Sequence, residues 1–81
     1  MSKGLIFGTS AGFFTILEEA GQYVSYFQGH AFGSYTQAQF AADDLSDGNA
    51  PPHQSGIDTS VLGIPYNLAE WRFFEESEQM N

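Results

Sequence analysis

Residues 13–28 read FFTILEEAGQYVSYFQ, two runs of aromatic and branched residues parted by Ala20 and Gly21. Phe13 to Glu19 and Gln22 to Gln28 both have strand composition. Ala20-Gly21 supplies the positive-φ residue that a tight turn needs, and so short a connection joins only antiparallel neighbours. The stretch predicts a β-hairpin. In its second strand Tyr23 and Phe27 fall on one face and Val24 and Tyr26 on the other. Both faces are apolar enough to expect a cover.

Upstream, Leu5-Ile6-Phe7 is a short apolar run that stops at Gly8, and it extends the hairpin to a three-stranded meander. Residues 4–17 carry no charge and follow Lys3, which is the outline of a signal-peptide core. No small-residue cleavage pattern follows, because Leu17 runs straight into Glu18 and Glu19. The 14 uncharged residues also fall short of the about 20 that a membrane-spanning helix takes. Two strands bent at residues 8–12 are expected, in a soluble cytoplasmic protein that does not enter a membrane. The chain has no cysteine, which removes disulfides, thiolate metal sites and thiol nucleophiles together.

Downstream, a helix is expected between Ser34 and Gly48. Ser34 with Gln37, or Thr36 with Gln39, has capping-box spacing, and Gly48 is placed to end the helix. At 100° per residue Ala38, Ala41, Ala42 and Leu45 share one face, which can lie flat on a sheet. Residues 46–60 hold two prolines and two glycines and read as a long loop. Asn67 to Glu70 fits one helical turn, and Trp71 to Glu75 a last strand that rejoins the sheet. Trp71 belongs in the core by its apolar area, and residues 76–81 read as a frayed tail. The expected architecture is one α+β domain over residues 1–81: a small antiparallel sheet of three to four strands with one helix packed on one face.

Ten acidic residues against two basic ones give a net charge of −8. Such a surface repels nucleic-acid phosphates and anionic lipid and attracts basic protein surfaces. The 16% aromatic content argues for a folded domain, because disordered acidic tails lack the apolar groups that offset chain entropy. A domain this small has a thin core, so some aromatic residues are expected outside, where tyrosines beside acids favour protein interfaces.

The candidate partner-binding residues follow. Phe40, Asp43, Asp44 and Asp47 are spaced i, i+3, i+4, i+7, which puts them opposite the alanine stripe. One ring among three carboxylates can fill an apolar pocket while the acids meet lysines and arginines. The bland alternative is a merely solvated face. These aspartates sit near the helix C-terminus, where the macrodipole disfavours negative charge by about 0.3–1 kcal/mol each. A sequence tuned only for helix stability would place them at the other end. Glu70, Glu75, Glu76 and Glu78 form a second acidic group around Trp71 and Arg72, and Tyr26 is the aromatic candidate of the meander. His30 and His53 do not have metal-ligand spacing. Ser10, Ser34 and Ser60 lack a nucleophile-elbow context, and GTSAG at residues 8–12 lacks the lysine of a phosphate loop. No cofactor, metal or catalytic residue is expected, and the chain is not expected to be an enzyme.

In length, in its β-β-β-α order and in its acidic faces at Asp43, Asp44, Asp47, Glu70, Glu75 and Glu76, the chain resembles the small acidic proteins that phages use against host defence. Anti-CRISPR proteins and DNA mimics are of this kind. The resemblance implies a stoichiometric inhibitor or adaptor of a nucleic-acid-handling complex, docked on its basic surface in the host cytoplasm, with no direct contact to nucleic acid. The alternative from another class is a homo-oligomeric structural or assembly protein, a homodimer for instance, whose aromatic surface is satisfied by its own copies.

Overall fold

The hairpin read from residues 13–28 lies at the centre of the sheet. A computed structural model describes residues 2–51, 53 and 55–76. Among the described residues five strands, β1 (Ser2–Thr9), β2 (Gly12–Glu19), β3 (Gln22–Phe27), β4 (His30–Tyr35) and β5 (Arg72–Glu76), form one sheet, and one helix, α1 (Ala38–Asp47), packs on a face of it. Every pairing is antiparallel, in the order β4-β3-β2-β1-β5. The chain is a small α+β fold.

The turns make the meander. Ala20 and Gly21 have φ of 52° and 82°, and Gln28 and Gly29 have 53° and 83°. Two successive positive-φ residues give the tight turn whose twist matches the flanking strands. The second of these turns corrects the expected strand count, because it adds β4. His30 starts that strand, in register with Phe27. Ser34 lies opposite Val24 in the same ladder, so it caps no helix. Gln37 is the helix N-cap and makes no side-chain capping bond, so neither capping box forms. The helix is correspondingly shorter than residues 34–48, but it ends as expected, with Gly48 at φ 79°.

Period-2 alternation puts Phe14 and Ile16 of β2, Ser25 and Phe27 of β3, and Phe32 of β4 on the inner face, all buried. Phe14 stacks on Phe27 at 4.6 Å between ring centroids and on Phe32 at 6.0 Å. Ala41, Ala42 and Leu45 of α1 close this face with no exposed surface, as the alanine stripe predicts. Small side chains let the helix lie close to the rings. Each fully buried Phe, Ile or Leu contributes about 1.5–3 kcal/mol, so these few residues dominate stability. Ser25 is the exception within the layer, its hydroxyl buried without a partner among the described residues.

Trp71 is buried as expected, packed on Phe7 at 5.7 Å with its indole N–H donating to the Pro65 carbonyl at 2.9 Å. A 3₁₀ turn at Leu68–Glu70, capped by the Asn67 side chain, precedes it. The last strand rejoins the sheet beside β1, with Glu76 in register with Ser2. Glu76 therefore belongs to β5, not to a frayed tail. Residues 77–81, Glu78 among them, lie outside the described residues.

The outer face differs from expectation. It carries Ile6, Phe13, Leu17, Val24, Tyr26 and Phe74 by register, and no helix among the described residues covers it. It is covered in part by itself. The Phe13 ring lies over Gly8, where a Cβ would sit 3.0 Å from Cε1. Leu17 and Phe74 close over Gly4, where a Cβ would meet Leu17 Cδ2 at 2.6 Å. Phe13 nevertheless remains 64% exposed.

Candidate docking surface

The acidic helix is built by two opposing requirements. Its alanine side must reach the sheet, which turns Phe40 and Asp47 to solvent and leaves Asp43 and Asp44 half-buried on the flanks. Phe40 is 48% exposed. Both flanking aspartates are held by neutral donors. Gln39 Nε2 donates to Asp43 Oδ1 at 2.9 Å and also to the Tyr66 carbonyl. The Tyr35 hydroxyl donates to Asp44 Oδ2 at 3.0 Å, tying the helix to β4. Burial, then the bond to Asp44 and the charge of that carboxylate, push the Tyr35 phenol up to about 12.

A fourth carboxylate joins this end of α1. Asp58 caps a 3₁₀ turn at Thr59–Val61 and accepts from the Ser60 hydroxyl at 2.7 Å and from the Ser60 N–H at 3.0 Å. These bonds, the hydroxyl first, hold its carboxyl below the usual range. A Cβ at Gly48 would sit 2.7 Å from Ser60 Cβ and 3.6 Å from Asp58 Oδ1. Asp58 thus packs beside Gly48 at the helix C-terminus, where the macrodipole adds partial negative charge of its own. Sequence reasoning missed Asp58 because it arrives through the loop. The Asp-x-Ser capping pattern at residues 58–60 was the available signal.

His53 anchors that loop. It is 7% exposed, packed on Phe32 at 4.5 Å and edge-on to Phe27 at 5.6 Å. The Ser55 N–H donates to Nδ1 at 3.1 Å, so Nδ1 carries no proton, and Nε2–H donates to the His30 carbonyl at 3.1 Å. The Ser55 hydroxyl lies 2.8 Å from Nδ1 and in turn accepts from the Ile57 N–H. The stretch read as one long loop is therefore shorter than residues 46–60 and is pinned near its middle to β4.

The remaining candidates do not gather with the helix. Tyr26 lies half-buried on the outer face, its hydroxyl donating to Glu19 Oε2 at 2.6 Å. That bond, with burial and the Glu19 charge, raises its phenol above the ordinary value. Glu75 is exposed on β5, in register with Lys3. Glu70 is exposed and lines an open hollow of about 560 Å³ with Phe13 and Arg72. The Glu76 backbone is placed by its strand alone. Among the described residues no helix is long and apolar enough to cross a membrane. Comparison of the chain with protein-family models, with curated proteins and with solved structures returned no match.

Proposed function

We propose that the protein is a small acidic docking module that occupies the basic surface of a nucleic-acid-handling complex and inhibits or adapts it, in the manner of anti-CRISPR proteins and DNA mimics. The observation that carries this reading is the C-terminal end of α1, where Asp44, Asp47 and Asp58 collect beside a helix terminus of the same sign. The macrodipole disfavours the helix aspartates at this end, and docking gives their placement a use. Phe40, exposed on the same helix, supplies an apolar anchor. The test is retention of complexes from a lysate rich in nucleic-acid-handling proteins, eluted by a salt gradient. Replacing Asp43, Asp44 and Asp47 together with asparagine keeps an acceptor oxygen for Gln39 and Tyr35, so the fold should persist. Partner affinity should fall at least tenfold, and unchanged affinity would remove this face from the account.

The outer sheet face favours a second reading, a homo-oligomer that buries Phe13, Tyr26 and Phe74 against another copy. Size measurement in dilute solution separates the two. A monomer supports the docking module; a stable dimer with these residues protected supports the assembly protein.

A further inference from the structure

A cleft of about 220 Å³ opens at the end of the sheet where α1 begins. It exceeds the roughly 150 Å³ that suffices to hold a benzene ring. Its inner wall is apolar, formed by buried Ile16 with half-buried Leu5 and Ala38. Half-buried Tyr23 flanks it, and Phe73 presents an aromatic ring that is 63% exposed.

Charge at the mouth selects the occupant. Lys3 and Glu18 both line the cleft and are exposed. Lys3 is in register with Glu75 on one side. On the other, Gly4 is in register with Leu17, which brings Glu18 beside Lys3. Within the lining Lys3 faces one carboxylate, Glu18; Glu75, just outside it across the β1–β5 ladder, tips the row to net negative, which favours a cation. The cation must also carry an apolar stem long enough to cover Ile16 and Leu5. Arginine meets both demands: its methylenes bury on apolar surface, and its planar head stacks on aromatic faces and forks onto a carboxylate.

We infer that this cleft is a socket for one arginine side chain of the partner, with the stem on Leu5, Ile16 and Ala38 and the guanidinium between the Phe73 ring and the Glu18 carboxylate. The inference rests on the proposed docking to a basic surface and adds the side chain that surface must offer. Lys3 acts as a competitor within the socket, which gives the proposal an unusual signature: removing the chain's one lysine should tighten binding.

The experiment is an NMR titration of the full chain with N-acetyl-arginine-N-methylamide. The methyl signals of Ala38, Leu5 and Ile16 should move together and saturate. Glu18→Gln should weaken the response several-fold, Phe73→Leu about two- to five-fold, and Lys3→Gln should strengthen it. All three positions are on the surface, and dispersed amide spectra verify folding. No shift at these methyls overturns the proposal. So does a stronger response to the carboxylate N-acetyl-phenylalanine that Lys3→Gln abolishes, because the cleft is then an anion site. The acidic helix is scored separately. The Asp43, Asp44, Asp47 triple asparagine variant should keep the arginine response while losing the partner. A silent wild-type titration removes the socket and leaves the helix reading standing.

Discussion

His53→Phe isolates what the loop anchor contributes. Phenylalanine keeps a ring of similar size against Phe27 and Phe32, so packing is largely retained. What goes is the Nε2–H bond to the His30 carbonyl and the Nδ1 acceptor of the Ser55 N–H. A net hydrogen bond contributes about 0.5–1.5 kcal/mol, and a group left buried without a partner costs more. These two losses, with the Ser55 hydroxyl contact to Nδ1 at 2.8 Å gone as well, put the expected destabilisation at about 2 kcal/mol or more. That is a substantial share of the roughly 5–15 kcal/mol by which domains are stable. For a domain of this size each kcal/mol moves the melting temperature by about 4–8 °C, so the midpoint should fall by roughly 10 °C. Urea denaturation measures the free energy, and amide exchange at Ser55 reports whether the loop has come loose. A variant with the wild-type midpoint and unchanged Ser55 exchange would refute the anchoring role. Nitrogen chemical shifts of the ring offer an independent check, because Nδ1 should be the unprotonated nitrogen.

Two further outcomes are expected. Tyr35 should ionise last or nearly so in an alkaline titration followed at 295 nm, and Tyr35→Phe should delete a phenol near the top of the curve. Its folded-state value of about 12 lies above the ordinary value of about 10. Its stabilising contribution is therefore complete below pH 10 and is lost as pH rises toward 12; a folded-state value near 10 would contradict the burial of the phenol together with its bond to Asp44. Salt should act with opposite signs on folding and on partner binding. A chain of charge −8 repels itself, and the screening length falls to about 10 Å at 0.1 M salt, so the urea midpoint should rise with sodium chloride while partner retention falls. A midpoint that falls with salt would mean that attractive ion pairs outweigh repulsion in the fold.

The central hairpin was legible because two signals agreed, strand composition on both sides and a turn dipeptide between them. The inner face of the helix was legible for a similar reason: alanines at Ala38, Ala41 and Ala42 with Leu45 leave one apolar stripe. β4 was not. His30 to Tyr35 contains Ala31, Gly33 and Ser34, which have no strand preference, and Ser34 with Gln37 imitates a capping box. The strand exists because Phe32 has a buried site to fill, a tertiary cause, and because the local turn at Gln28 and Gly29 returns the chain in register with Phe27; Gln at the first turn position is a weak signal for such a turn. The helical spacing of Asp43, Asp44 and Asp47 could be read locally. The bonds that hold two of them could not, since Tyr35 reaches Asp44 from β4 and Gln39 is fixed by Tyr66 across 27 positions. Asp58 joins them through a loop that His53 pins to β4 and through the approach of Ser60 to Gly48.

One pattern connects the fold to its charge. Glu19, Asp44 and Asp58 each take a hydroxyl donor, from Tyr26, Tyr35 and Ser60 respectively. A cation in the same place would satisfy the carboxylate and also cancel its field. A neutral hydroxyl fixes the oxygen in position and leaves the negative charge facing outward. With only two basic residues in the chain, neutral donors hold these acids in place, Asp44 and Asp58 beside α1 and Glu19 apart from them on the outer sheet face. Ordered charge loses less conformational freedom when a partner arrives. The fold accepts self-repulsion as the cost of presenting carboxylates at fixed positions, which is what the proposed docking on a basic surface requires.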